Sequence, residues 1–223
     1  MKTICMIPAR MGSQRLKKKN LRIINNTTLI AFAIKRCHKA NVFDEIWVNS
    51  EHTDFAPIAE EEQAHFHLRP EELGSNSTTS EQYIYEFLSQ HTCDWLFQVH
   101  SIAPLLTPKN ISKFVKYSIT SNHDTILSYI PEQIECALNG HPINFDFQNK
   151  INSQELEPIQ RITWSITAWR ADCYMKAFEA EKCATYSGNV SLFPVDRISG
   201  HVIKTEEDLQ YATSLLPLIK SEL

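Results

Sequence analysis

The chain has 223 residues, of which 43% are hydrophobic and 22% are charged, and its net charge is −4. These values predict one globular domain over residues 1–223, and they exclude binding to nucleic acid or a membrane through overall charge. Six scattered cysteines without CxxC spacing exclude a zinc ribbon or a disulfide-stapled fold. The first apolar run is too short for a signal peptide and no apolar stretch reaches 18 residues, so we expect a soluble, cytoplasmic protein.

The first 130 residues alternate between short apolar runs and amphipathic segments. The apolar runs predict strands over Thr3–Pro8, Glu45–Ser50, Asp94–Val99 and Asp124–Ile130. Helical spacing predicts helices over Thr28–Ala40 and Asp54–Ala64, from a Thr78–Glu81 capping box to about Gln90, and from Thr107 to about Thr120. This alternation is typical of a three-layer, Rossmann-like α/β fold with a mainly parallel or mixed sheet.

The pattern weakens after Pro131, where the sequence becomes polar and irregular to about Pro158. The segment Ile162–Trp169 is rich in β-forming residues, and Thr205 is placed to cap a last helix that ends near Leu216. We therefore predict an insertion at about 131–170 within the single domain.

A basic loop follows the first predicted strand. It carries five positive charges within ten residues, together with Gly12 and Ser13, which allow backbone and hydroxyl groups to approach an anion. In a parallel sheet, ligands bind at the carboxyl ends of the strands, where this loop lies. The motif is neither GxxxxGK[ST] nor GxGxxG, so a phosphate site and a solvated basic turn both remain open.

The loop sequence IPARMGSQRLKKKN resembles the signature IPARxGSKRxxxKN of the CMP-acylneuraminate cytidylyltransferases, which act on sialic acid and related nonulosonates. Six further segments resemble family motifs in the family's order. They lie at 29–31, 43–61, 68–80, 94–111, 153–161 and 203–212. The chain thus resembles a divergent member of that family.

This resemblance implies a homodimeric enzyme, joined through the insertion, that uses Mg²⁺. It would move CMP from CTP onto a sugar acid, such as a sialic, legionaminic or pseudaminic acid, and release pyrophosphate for surface glycan biosynthesis. The implied catalytic residues are Arg10 and Lys19. The implied nucleotide-binding residues are Pro8, Ala9, Arg10, Gly12, Ser13, Arg15, Lys19, Asn20, Arg69, Thr79 and Ser80, and the implied substrate-binding residues are His100, Ser101, Gln154 and Arg161.

The chain departs from the family pattern in the loop, in the acceptor segment and in the tail. Gln14 replaces a lysine of the loop, and Trp164 replaces a glycine. His100 lies in the altered acceptor segment 100–106, where it either contacts the acceptor or is a structural histidine. The tail positions resembling metal-binding aspartates hold Val202 and Lys204, which leaves the metal ligands unknown.

Three consequences of the altered tail remain open. An acidic residue at 206–208 could replace the aspartates, although capping is the default role there. Lys204 could itself neutralise phosphate charge. A catalytically weakened nucleotide-binding protein is therefore an alternative function, as is a transferase that uses another nucleotide or a sugar phosphate.

Overall fold

The computed structural model describes residues 1–222, with side chains through residue 219. Eleven strands occur in this part of the chain: β1 Thr3–Pro8, β2 Ile23–Ile24, β3 Thr27–Thr28, β4 Glu45–Ser50, β5 His65–Leu68, β6 Trp95–Val99, β7 Thr125–Glu132, β8 Ala137–Leu138, β9 His141–Pro142, β10 Ile159–Arg170 and β11 Val190–Pro194. The α-helices are α1 Leu29–Ala40, α2 Ala56–Glu61, α3 Ser80–Gln90, α4 Pro108–Thr120, α5 Ala171–Glu179 and α6 Glu206–Leu215.

Seven strands form one sheet in the order β11-β7-β10-β6-β1-β4-β5. Strand β10 runs antiparallel to both of its neighbours, and all other adjacent pairs in the sheet are parallel. The chain leaves β1 for β4 on one side and later adds β6 on the other side. The carboxyl ends of β1 and β6 thus flank a topological switch point, where ligands of α/β sheets bind.

Strand β1 shows why the fold has three layers, because successive side chains point to opposite faces of a sheet. Cys5 and Ile7 pack in one buried cluster with α1 and α4. Ile4 and Met6 pack in another with α3 and α5. The predicted α/β fold with a mixed sheet is confirmed.

Three elements were not predicted from the sequence, namely β5, α5 and β11. Strand β5 (HFHL) is short, lies at the edge of the sheet and contains two histidines. Helix α5 follows β10 without a gap, and Arg170 at its N-cap makes no capping hydrogen bond through its side chain. Strand β11 contains no fully buried residue, so it lacks a clear apolar period.

The predicted Thr78–Glu81 capping box is wrong by one residue. Thr79 is the N-cap of α3, and its N–H donates to Gln82 Oε1 at 2.9 Å. Glu81 instead accepts a hydrogen bond from the Thr185 N–H at 2.6 Å, which anchors the segment after α5. Both pairs have the spacing of a capping box, so the sequence alone did not distinguish them.

Strand β10 occupies part of the segment predicted as an insertion. Residues 159–170 form a central strand, so the part of the predicted 131–170 segment outside the sheet is 133–158, which includes the β8–β9 pair. Five of its large hydrophobic side chains are exposed, namely Ile134, Leu138, Ile143, Phe147 and Ile151. None of the helices within residues 1–222 is long and apolar enough to cross a membrane.

Candidate active site

A cleft of about 270 Å³ opens at the carboxyl ends of β1 and β6, and we call it the switch-point cleft. Its lining combines the basic loop, the segment before α3 and the segment after β6. The lining residues are Pro8, Ala9, Arg10, Lys19, Asn20, Arg69, Leu73, Ser75, Thr78, Ser80, Tyr83, His100, Ser101 and Ile102. Nine of the fifteen residues that the family resemblance implies for contacts with the two substrates thus meet in one place.

The basic loop is held in place by hydrogen bonds to its backbone. The Ala9 N–H donates to the Asn49 carbonyl at 2.9 Å, and Asn20 Nδ2 donates to the Arg10 carbonyl at 3.1 Å. Ser101 Oγ donates in turn to Asn20 Oδ1 at 2.7 Å. Asn20 and Ser101 are both buried, so these side chains join the basic loop to the segment after β6, and both segments line the cleft.

Arg69 forms the floor of the cleft and is 4% exposed. Its Nη2 donates to Glu51 Oε2 at 2.8 Å and to the Ala9 carbonyl at 2.9 Å, while Nη1 donates to Asn49 Oδ1 at 2.9 Å. The other Glu51 oxygen accepts from the Met11 N–H at 2.8 Å. The ion pair therefore fixes the start of the basic loop, and these donors are already used within the protein.

Two cations of the loop line the cleft and make fewer hydrogen bonds within the protein than Arg69 does. Arg10 is partly exposed, and its Nη1 donates to Asn76 Oδ1 at 3.2 Å. Lys19 Nζ donates to the Ile203 carbonyl at 3.2 Å. Burial, together with the charges of Arg15 and Arg10, lowers the pKa of Lys19. The positive charges of the loop therefore repel one another, and a bound anion would reduce this repulsion.

Four of the implied nucleotide-binding residues lie outside the lining of this cleft. Gly12 and Ser13 line neighbouring grooves on the outer side of the loop, and Arg15 is exposed. A Cβ at Gly12 would meet no atom within 4 Å, so the conformation of the loop does not by itself require glycine there. Thr79 is the N-cap of α3, whereas its neighbours Thr78 and Ser80 line the cleft.

Tyr83 is a lining residue that the sequence did not reveal. Its hydroxyl accepts a hydrogen bond from Gln98 Nε2 at 3.0 Å, and the Arg69 guanidinium carbon lies 4.9 Å from its ring centroid. Burial raises the pKa of Tyr83. Its spacing within α3 is that of an ordinary core residue, which hides its position at the cleft.

His100 lies at the end of β6 and lines the cleft. Its backbone N–H donates to the Ser165 carbonyl at 3.2 Å. Burial, and then the charge of Lys19, lower the pKa of His100 to about 4. The imidazole is therefore neutral at pH 7 and has an acceptor nitrogen.

A larger pocket of about 760 Å³ adjoins the cleft and shares Ile102 with it, and we call it the side pocket. Glu132 accepts from Arg161 Nε at 3.0 Å and from Arg197 Nη2 at 2.8 Å. These two arginines lower the pKa of Glu132, in opposition to burial. Arg161 thus lies in the side pocket, whereas Gln154 is exposed on the insertion and lines neither cavity.

Trp164 lines the side pocket with an unusual backbone conformation. Its φ is +58°, in the left-handed region, at the irregularity between Ile162 and Thr167 where β10 changes register against β7. Large side chains rarely adopt this conformation, and glycine adopts it without cost. The structure thus gives a physical reason for a glycine at this position and shows Trp164 in strained backbone.

The acidic side chains near the two cavities do not fit a metal held by the protein. No residue lining the switch-point cleft is acidic, and within residues 1–222 no three His, Cys, Asp or Glu side chains form a metal site. In the side pocket, Glu132 pairs with two arginines, and Asp208 Oδ2 accepts from Thr205 N and Oγ1. Magnesium needs free oxygen ligands, so the implied Mg²⁺ stays a prediction without protein ligands.

The fold and the site together define an α/β protein with a basic loop and a cationic cleft at its switch point. A family model described as cytidylyltransferase matches residues 4–180, so the chain belongs to the cytidylyltransferase family. It is 29% identical to N-acylneuraminate cytidylyltransferase A of Danio rerio over 56% of this chain and 29% of that protein. It is 31% identical to a pseudaminic acid cytidylyltransferase of Campylobacter jejuni over 57% of each chain.

The fold comparison agrees with this assignment. A solved structure of CMP:2-keto-3-deoxy-manno-octonic acid synthetase complexed with CTP superposes with a TM-score of 0.74, covering 98% of this chain and 99% of the other at 15% identity. At this identity the likeness concerns the fold. The match to the Danio rerio relative spans less than a third of that protein's length.

Two arginine substitutions should separate the structural from the binding role within the cleft. Arg69→Gln should lower the free energy of unfolding by about 3–5 kcal/mol, because it leaves the buried Glu51 carboxylate unpaired. Arg10→Gln, at a partly exposed position, should change it by less than about 0.5 kcal/mol. Urea denaturation measures both, and equal losses would contradict the assigned roles.

The low pKa of His100 predicts a dependence of stability on pH. Between about pH 6.5 and pH 4 the His100 imidazole is protonated in the unfolded protein and neutral in the folded protein. The free energy of unfolding therefore falls as the pH is lowered. The wild type should lose up to about 1.4 kcal/mol more per pH unit than His100→Gln in this window. Denaturant melts of both proteins at pH 6.5 and 4.5 measure this, and parallel losses would refute it.

The backbone at Trp164 predicts that glycine is preferred there over alanine. Trp164→Gly should be more stable than Trp164→Ala by about 1 kcal/mol, because both lack the ring and alanine alone retains the left-handed strain. Gln160 is an exposed β10 residue without a positive φ, and there the alanine variant should be at least as stable as the glycine variant. Thermal melts of the four variants decide this, and alanine at least as stable at both positions would contradict it.

Proposed function

We propose that the protein transfers CMP from CTP to a hydroxyl of a sugar acid of the nonulosonate class and releases pyrophosphate. One observation carries this proposal: a small cationic cleft at the switch point adjoins a larger, arginine-bearing pocket, and the two share Ile102 in their linings. Two adjoining cavities with anion-binding side chains suit a reaction between a nucleoside triphosphate and an acidic acceptor. The relatives' names supply the donor and the acceptor class.

The switch-point cleft is the proposed nucleotide site. Arg10 and Lys19 provide positive charge for the phosphates, and Thr78 and Ser80 provide hydroxyls on the opposite wall. Pro8 and Ala9 bring the backbone at the end of β1 to the same surface. Arg69 supports this wall and does not need to contact the nucleotide, since its Nη atoms are bonded to Glu51, Ala9 and Asn49.

The side pocket is the proposed acceptor site. Its lining holds three cationic side chains, Arg161, Arg197 and Lys204, against the two carboxylates of Glu132 and Asp208. This excess of positive charge favours an anionic acceptor, and a planar guanidinium suits a carboxylate in particular. Trp164 shapes the same wall and offers an apolar face to the rest of the sugar.

In the proposed mechanism, the acceptor hydroxyl attacks the α-phosphorus of CTP in line with the departing pyrophosphate. A P–O bond forms between the acceptor oxygen and the α-phosphorus as the bond from the α-phosphorus to the bridging oxygen of pyrophosphate breaks. The hydroxyl loses its proton to solvent, and negative charge develops on the leaving group. Arg10 and Lys19 stabilise that charge. The neutral His100 imidazole lies where it can accept a hydrogen bond from the attacking hydroxyl and so orient it.

We also propose that the protein works as a cytoplasmic homodimer, with the insertion as the contact. Residues 133–158 carry exposed Ile134, Leu138, Ile143 and Phe147, of which Phe147 is 71% exposed. Several large apolar side chains on one short segment favour a protein–protein contact. The reaction itself calls for a compartment that contains CTP.

The lack of free carboxylates at the cleft supports one alternative: a protein that binds the nucleotide without turnover. Both functions predict CTP binding, and they differ in whether pyrophosphate is released.

Pyrophosphate release tests the proposed activity. The purified chain should release pyrophosphate from CTP with at least one nonulosonic acid, and Arg10→Gln should lower kcat/KM by about 10²–10³-fold. Lys17→Gln removes an exposed charge of the same loop outside the cleft, and it should change kcat/KM by less than about threefold.

The result that would contradict this activity is silence with CTP, GTP, ATP and UTP across a broad panel of sugar acids and sugar phosphates. CTP binding without release would favour the alternative without turnover, and release with another nucleotide or with a sugar phosphate would change the assigned substrates.

A further inference from the structure

We propose that the ammonium of Lys204 neutralises the triphosphate directly, so that CTP binds this protein without a metal ion held by protein ligands. The inference rests on the proposed function, because it concerns how the same site binds its nucleotide.

Lys204 is held at the junction of the two cavities by its neighbour Ile203. The Ile203 N–H donates to the Ile102 carbonyl at 2.8 Å, and the Ile203 carbonyl accepts from Lys19 Nζ at 3.2 Å. Ile102 lines both cavities, Lys19 lines the switch-point cleft and Lys204 lines the side pocket. These hydrogen bonds therefore hold the backbone at residue 204 next to the proposed binding site of the phosphates.

The Lys204 ammonium forms no ion pair among the described side chains. The side chain is exposed, and no described carboxylate lies within 4.0 Å of its Nζ. Its charge lowers the pKa of Lys19 in the same direction as Arg15 and Arg10, while the Asp208 carboxylate acts in the opposite direction. Four positive charges thus act on one region against a single carboxylate, which favours a polyanion there.

Two of the three carboxylates that follow Lys204 accept hydrogen bonds within the protein, and the third lies outside both cavities. Asp208 Oδ2 accepts from the N–H groups of Lys204 and Thr205, each at 2.8 Å, and so caps α6. Both oxygens of Glu206 accept from Arg22 at 2.6 Å. Glu207 is exposed and lines neither cavity.

These contacts decide between a metal and an ammonium at this position. A divalent cation at this position would be repelled by the ammonium, and the carboxylates that line the cavities already accept hydrogen bonds from the protein. A phosphate would instead accept a charge-assisted hydrogen bond from the ammonium. Such a bond is worth about 10–100-fold in affinity. The geometry points to Lys204 as a phosphate ligand that the substrate must share with Lys19 and Arg10.

Calorimetric titration of the full chain with CTP tests this inference, once in EDTA and once in excess MgCl₂. The wild type should bind CTP with Kd values within about threefold of each other in the two buffers. Lys204→Ala should weaken binding in EDTA by about 10-fold or more. Lys204→Asp should bind worse still in EDTA and recover about 10-fold or more with Mg²⁺, because it restores an oxygen ligand.

Lys109→Asp is the matched control, since it makes the same charge change at an exposed position on α4 outside both cavities. It should leave both Kd values within about threefold of the wild type, and thermal melts of every variant confirm folding.

Two results would overturn the inference while leaving the proposed function intact: wild-type binding that needs Mg²⁺, or Lys204→Ala that binds CTP as tightly as the wild type in EDTA. A wild type that binds no CTP in either buffer would overturn the proposed function, and the inference with it.

Discussion

The ion pair between Arg69 and Glu51 fixes the geometry on which the rest of the site depends. It lies beneath the switch-point cleft and joins the ends of β1 and β4, because Arg69 bonds the Ala9 carbonyl and Glu51 bonds the Met11 N–H. Both side chains are largely buried, so their desolvation is offset only while every partner is in place. A loop that carries several positive charges would otherwise tend to spread away from the sheet. The site thus separates two tasks between its arginines: Arg69 supports the loop, and Arg10 remains available to a ligand.

The parts of the fold that follow simple periodicity could be predicted from the sequence. Strands β1, β4 and β6 are apolar runs, and the helices after them have regular spacing, so the switch point followed from their order. The edges of the sheet could not be predicted, because β5 and β11 bury little apolar surface and therefore carry a weak pattern. The register of the α3 capping box was also ambiguous, since Thr78–Glu81 and Thr79–Gln82 have the same spacing.

The candidate site shows the same limit at the level of single residues. The basic loop identified Arg10, Lys19 and Asn20, all of which line the cleft. The sequence did not show that Asn20 bonds Ser101 across the cleft, or that Tyr83 packs on Arg69, since such contacts depend on how distant segments meet. Likewise, Trp164 was visible as a replaced glycine, but its positive φ appears only in the register change of β10.

A crystal structure of the protein with CTP bound tests the central claim most directly, namely that the switch-point cleft holds the nucleotide and the side pocket receives the acceptor. The account predicts phosphate oxygens within hydrogen-bonding distance of Arg10 and Lys19, with the α-phosphorus facing the side pocket past Ile102. Electron density for CTP elsewhere on the protein, or phosphates directed away from Ile102, would contradict it.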